Sequence, residues 1–184
     1  MRMKVLSTEF EGLHIIEPEV YGDERGYFIE TYNQRDLQGQ GIDNKFVQDN
    51  QSKSKKGVLR GLHFQNAPYA QTKLVRVLSG AILDVAVDLR RHKKTFGKSF
   101  GIQLSSENKK QLLIPKGFAH GFIVLSENAE MLYKIDEFHY PESEGGIIYD
   151  DPALGIDWMT PAEDIILSAR DTKHPLLAEA HFHF

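Results

Sequence analysis

Glycine falls at short intervals along this chain, from Gly12 to Gly155, and the stretches between are short and rich in β-branched and aromatic residues. A chain interrupted this often suits many short strands joined by tight turns far better than long helices. The expected strands cover residues 13–20, 27–32, 46–48, 58–65, 73–78, 81–89, 99–104, 111–114, 121–125 and 130–136, with helix confined to 34–40 and a stretch after Pro161. That spacing predicts an all-β sandwich or barrel and not a parallel α/β sheet. No repeat, low-complexity tract or linker divides the 184 residues, of which 41% are hydrophobic, so one domain over 1–184 is expected.

A net charge of −4 argues against a nucleic-acid or anionic-membrane surface. The one basic cluster, Arg90-Arg91-His92-Lys93-Lys94, reads as a solvated turn after a strand. With no cysteine, disulfides, thiolate catalysis and cysteine-based zinc sites are excluded, which fits a reducing cytoplasm. The first residues lack the apolar run of a signal peptide, and no segment reaches the length of a membrane helix.

The clearest hairpin is expected over residues 73–89, turning at Ser79-Gly80. Period-two alternation then puts Leu74, Arg76, Leu78, Ala81, Leu83, Val85, Val87 and Leu89 on one face, which reads as packing against a second sheet. The other face carries Lys73, Val75, Val77, Ile82, Asp84, Ala86 and Asp88. Its mixture of small apolar groups and charges suits the wall of a wet cavity, because a closed core would not accept the charges unpaired.

Two segments carry chemistry. Residues 57–65, Gly-Val-Leu-Arg-Gly-Leu-His-Phe-Gln, end an apolar strand with His63 between Arg60 and Lys73, and fixed positive charge nearby favours the neutral, proton-accepting imidazole. In the second, Pro115-Lys116-Gly117-Phe118-Ala119-His120, a turn delivers His120 to the start of a strand. Pro-x-Gly-x-x-His resembles the second motif of the cupin β-barrels, whose metal sites draw two histidines of a His-x-His from the first motif. Here that position reads His63-Phe64-Gln65, which leaves too few imidazoles for a transition metal. His181-Phe182-His183-Phe184 reads as a frayed tail able at most to chelate metal adventitiously. No nucleophile elbow, Walker loop or dinucleotide fingerprint occurs, so histidines, carboxylates, a lysine and tyrosines remain, an inventory for proton transfer.

Taken together, Asp23-Glu24-Arg25-Gly26-Tyr27-Phe28, Phe46-Val47-Gln48-Asp49-Asn50, residues 57–65, 73–77, 83–90 and 115–122, Tyr133-Lys134 and Gly155-Ile156-Asp157-Trp158 resemble the dTDP-4-dehydrorhamnose 3,5-epimerase family, in order from about Gly12 to Leu177. The resemblance implies a cupin-type antiparallel β-barrel (jelly roll) with a few short helices, a homodimer, and catalysis without metal or organic cofactor. The implied substrate is a dTDP-sugar, dTDP-4-dehydro-6-deoxy-D-glucose, inverted at C3 and C5 on the way to L-rhamnose for cell-surface polysaccharide. Related enzymes invert one centre alone. By resemblance His63 is the base, Asp171 its orienting carboxylate, Lys73 the cation at the enolate oxygen, Tyr133 the acid on the opposite face, and His120 a sugar neighbour partnered by Asp84. Arg25 and Arg60 match positions that meet the diphosphate, and Phe28, Glu30, Gln48, Asn50, Glu144 and Lys173 surround nucleotide and sugar. His139 stands where the family commonly has a base-stacking tyrosine, a departure that bears on base preference. Strict alternation sets Arg60 opposite His63, so either a bulge near Gly61 or delivery from a strand end or partner subunit is required.

Overall fold

The computed structural model describes residues 3–184, so the first two positions of the expected 1–184 domain lie outside the described residues. The elements run β1 (Met3–Ser7), β2 (His14–Pro18), β3 (Val20–Asp23), β4 (Gly26–Ile29), α1 (Gln34–Gln38), β5 (Gln48–Lys55), β6 (Leu59–Gln65), β7 (Lys73–Ser79), β8 (Ala81–Asp88), β9 (Ser99–Ser105), β10 (Gln111–Ile114), β11 (Phe118–Val124), β12 (Asn128–Ile135) and β13 (Glu144–Gly146). They form a six-stranded sheet in the order β1-β2-β10-β7-β12-β5, a five-stranded sheet β13-β6-β11-β8-β9, and a separate β3-β4 ribbon. Every strand pair within these sheets is antiparallel, the jelly-roll arrangement expected.

Burial comes in three layers. Between the two sheets lie Phe10, Val75, Val77, Ile82, Ala86, Leu104, Leu112, Phe118 and Met131. The outer face of the five-stranded sheet presents Leu59, Leu62, Leu83, Val85, Val87 and Ile123, covered by Ile147, Trp158 and Phe182 of the C-terminal stretch. The outer face of the six-stranded sheet is closed by α1, whose Leu37 meets Ile16, Leu74 and Leu113. Asn33 caps that helix, its side chain accepting from the amides of Arg35 and Asp36.

The expected 73–89 hairpin is not formed. β7 pairs with β10 and β12 and β8 pairs with β9 and β11, so Ser79-Gly80 is a corner that carries the chain from one sheet to the other. Gly80 sits at φ +78°, where any Cβ would collide with the Asn128 carbonyl oxygen. Alternation reports faces but does not distinguish an in-sheet turn from a corner. The apolar face packs otherwise than expected, Leu74, Leu83, Val85, Val87 and Leu89 pointing outward under the covering segments, while the mixed face looks at the opposite sheet, with Val75, Val77, Ile82 and Ala86 in the core and Lys73 at a cavity wall.

Other expectations need adjusting. β5 runs to Lys55 where only 46–48 was expected, because Gln48-Asp49-Asn50-Gln51-Ser52-Lys53-Ser54-Lys55 has no apolar face. β11 begins at Phe118, so His120 lies inside the strand and not at its start. After Pro161 the described helical structure is confined to two 3-10 turns, Ala162–Asp164 and Asp171–Lys173. The basic cluster is not simply solvated, since Arg90 pairs with Asp88 at 2.7 Å and Arg91 lies 4.6 Å from the Phe182 ring centre. Nor is the tail frayed: Phe182 is buried against Phe64, and the His183 amide donates to Asn66 at 3.1 Å. Replacing Phe182 by Ala is therefore expected to lower unfolding free energy by about 3–5 kcal/mol in urea titrations, where a loose tail would give no change.

Candidate active site

The site begins with a register fault in β6. His120 faces His63 across the β6–β11 pair but Phe122 faces Arg60, so β6 spends one residue more than its partner between these two points. The fault sits at Gly61, with φ +123°, where a Cβ would lie 2.5 Å from Gly121 Cα and 2.7 Å from the His120 carbonyl oxygen. Of the alternatives that alternation left, this is the bulge, and through it Arg60 and His63 line the same cavity without help from another chain.

That cavity, of about 570 Å³, opens at one end of the space between the sheets and is lined by Asn50, Arg60, His63, Lys73, His120, Tyr133 and Asp171 among others. Its size is that of a small-molecule site. Lys73 opens β7, and on the adjacent β12 Tyr133 stands opposite Val75 on one side and Asn50 of β5 on the other. Tyr133, Asn50 and Lys73 thus come from the six-stranded sheet, and His63 and His120 from the five-stranded one.

Two imidazole–carboxylate pairs fix the histidines. His63 Nε2 is 2.6 Å from Oδ1 of Asp171, a buried residue on the 3-10 turn Asp171–Lys173. Burial alone would push the Asp171 carboxyl up, but the hydrogen bond and charge of His63, with the Ser168 contact, hold it below the usual carboxylate range. With Nε2 engaged, Nδ1 is the His63 nitrogen left for a ligand. His120 Nε2 lies 2.9 and 3.1 Å from the two oxygens of Asp84, which is fully buried. Burial lowers Lys73 to about 8 against the opposing pull of Asp84 and Glu144, and burial raises the Tyr133 phenol although Arg60 opposes it. Near neutral pH the pocket therefore presents an ammonium and a protonated phenol.

The other expected site residues divide. Gln48 is joined to Asn50, Nε2 donating to Oδ1 at 2.9 Å. His139 and Arg170 both bind Glu144, at 2.9 and 2.7 Å, and Arg170 itself lines the cavity. Against the pull of burial, these two contacts hold Glu144 ionised below its usual range. Arg25 and Phe28 are not brought to the cavity; they lie on the exposed β3–β4 ribbon beside a separate surface hollow, Arg25 paired with Asp23. Glu30 accepts from Asn33 at 3.0 Å, and Lys173 is exposed beyond the cavity lining.

Three participants escaped the sequence reading. Arg170, beside Asp171 in the chain, carries no motif of its own. Gln65 stands where the cupin motif has a metal-binding histidine and ties two loops together, its Nε2 donating to the carbonyls of Tyr69 and Phe138 at 2.7 and 3.1 Å while its Oε1 accepts from the Tyr140 amide at 2.9 Å. Tyr140 then stacks on Tyr69 with ring centres 3.8 Å apart. His174 lies edge-on to His63 at 5.3 Å in space left by Gly146, where a Cβ would overlap its ring. Burial and His63 push His174 below the ordinary imidazole range. Only its position three residues after Asp171 could have marked it.

The dTDP-4-dehydrorhamnose 3,5-epimerase family model matches residues 7–179. A protein of that name from Salmonella typhimurium is 53% identical over 182 residues, 97% of each chain. The crystal structure of the namesake from Elizabethkingia anophelis superposes with a TM-score of 0.93 at 50% identity, covering 97% of this chain and 98% of that one. A dTDP-6-deoxy-D-glucose-3,5-epimerase from Legionella pneumophila, solved in complex with dTDP-4-keto-L-rhamnose, gives 0.92 at 50% identity over 96% and 94%. Matched along nearly its whole length in both sequence and fold, the chain belongs to the dTDP-4-dehydrorhamnose 3,5-epimerase family.

Proposed function

We propose that the protein inverts C3 and C5 of dTDP-4-dehydro-6-deoxy-D-glucose, giving dTDP-4-dehydro-6-deoxy-L-mannose. The observation that carries this reading is the convergence of an imidazole, a phenol and an ammonium on one hexose-sized cavity, walled from two opposed sheets. The C4 ketone makes the protons at C3 and C5 acidic. His63 Nδ1 takes one as a base, and the electron pair moves onto the C4 oxygen, where the Lys73 ammonium meets the developing charge. Asp171 stabilises the resulting imidazolium. The Tyr133 hydroxyl returns a proton from the opposite face, and the imidazolium proton reaches the phenolate through water before the next cycle. His120, held by Asp84, supports the sugar.

Arg60 and Arg170 are the guanidinium groups at the cavity available to a diphosphate. We assign Gln48, Asn50, His139 and Glu144 to the nucleotide's path out of it, supported by Asn50 at the cavity wall with Gln48 bonded to it, and by Glu144, which binds His139 and the cavity-lining Arg170. We assign Arg25, Phe28, Glu30 and Lys173 to the nucleotide end as well. For the first two this requires a second chain, so we infer a homodimer in which the β3–β4 ribbon reaches the partner's cavity. Its support is the exposure of Tyr27 and Phe28, 60% and 61%, on a ribbon outside both main sheets. Light scattering is expected to return the mass of two chains. No described helix is long and apolar enough to cross a membrane, and we place the enzyme in the cytoplasm, where activated nucleotides are made and used.

Incubation in deuterated water is expected to label both C3 and C5; label at C3 alone would make the protein a mono-epimerase. Replacing His63 by Ala should lower kcat by roughly 10² to 10⁴ with dTDP binding retained. The Lys73 ammonium is present below pH about 8 and lost above it, so kcat/KM should fall as pH rises through about 8. Lys73→Arg, which cannot deprotonate there, should remove that limb even at reduced rate.

A further inference from the structure

We propose that His63, Asp171 and His174 form an inhibitory binding site for a borderline transition-metal cation such as Zn²⁺, distinct from any cofactor of the reaction. One ligand atom from each of the three lies within 4.8 Å of the others. His174 Nε2 is 3.5 Å from Asp171 Oδ1, the spacing of two ligands on a tetrahedral ion with metal–ligand distances of about 2.1 Å. His63 Nε2, at 2.6 Å on the same carboxylate oxygen, needs to open by less than about 1 Å to admit the ion. A second observation points to a ligand independently of this spacing. His174 Nε2 is buried, its side chain only 12% exposed, and meets the Asp171 carboxylate at 3.5 Å, too long for a well-formed hydrogen bond. Buried ring nitrogens ordinarily find a partner, and an ion seated among the three would supply one. Access exists because His63 and Asp171 line the open cavity. Two imidazoles and one carboxylate make the donor set of a three-ligand zinc site with water in fourth place, a different set from the cupin ligands that Gln65 interrupts.

The consequence for catalysis follows from counting protons on one ring. A neutral imidazole carries a single N–H, which in the resting pair sits on Nε2 between His63 and Asp171. When Nε2 binds the ion, that proton moves to Nδ1 and the lone pair that would accept the substrate proton is lost. The ion blocks the base without occupying the sugar's place, so kcat should fall in proportion to occupancy. This inhibitory arm rests on the proposed role of His63; ion binding does not.

Equilibrium dialysis of the untagged dimer against zinc chloride, without nucleotide, tests the site. The expected result is one zinc per chain. Binding should weaken by at least roughly tenfold, the lower end of what even an outer-shell partner contributes, in His174→Gln. It should persist in a His181→Ala/His183→Ala double variant. Co²⁺ bound to the unaltered protein should show the visible bands of a four-coordinate nitrogen–oxygen site, a readout that does not depend on how His174→Gln folds. Turnover at buffered free zinc should be inhibited in the unaltered enzyme, restored by chelator, and insensitive in His174→Gln. Zinc retained unchanged by His174→Gln, or abolished by the tail variant as an adventitious ion only, would overturn the proposal. Saturable zinc binding without inhibition would uphold the site and count against His63 as the base.

Discussion

Two carboxylates shut between protein layers, Asp84 at 0% and Asp171 at 3% exposure, set the terms for everything around them. An ionised carboxyl in that position is tolerable only with a hydrogen-bonding partner, and each has been given an imidazole. Because removing either member would strand the other, the pairs fix the rotamers of His63 and His120 more firmly than packing alone would do. The apolar layers on both outer faces supply the rigidity. Strand β8, for example, is buried on two sides, so Asp84 projects from backbone that has nowhere to move.

The strands most legible in the sequence are those whose two faces differ in kind or whose ends carry turn residues. Residues 111–114 coincide with β10, and 58–65 begins one residue before β6. β5 was invisible beyond Gln48 because its alternation is between cavity-facing and solvent-facing polar groups, a pattern that hydropathy does not register. The sheet-to-sheet corner at Gly80 read as a hairpin because local turn chemistry says nothing about which distant strands will pair. The tail read as loose because four residues, two of them aromatic, show no periodicity until Phe64 and Phe96 are in place to receive them.

The site divides along the same line. His63 and Lys73 are near neighbours in the chain and read together, but Tyr133 and Asp171 lie far from both, and only resemblance to a family could join them before the fold did. The bulge at Gly61 was half legible: once the resemblance put Arg60 beside His63, period-two geometry left a bulge, a strand end or a partner subunit as the ways to bring them together, and the register of β6 against β11 selects the bulge. His174 and Gln65 stayed hidden because their roles are played against backbone and ring atoms, with no motif to announce them.

Gln65 also limits what this scaffold can be turned into. Its amide holds two backbone groups of the loop that carries His139 and one of the loop that carries Tyr69, so a single codon decides between anchoring those loops and offering another imidazole to an ion. A histidine there has too few groups to make all three contacts and one nitrogen fewer for them once metallated. The barrel can be converted into a metalloenzyme only by first loosening the rim of its own ligand pocket, a barrier to redesign that lies in the connectivity of one side chain.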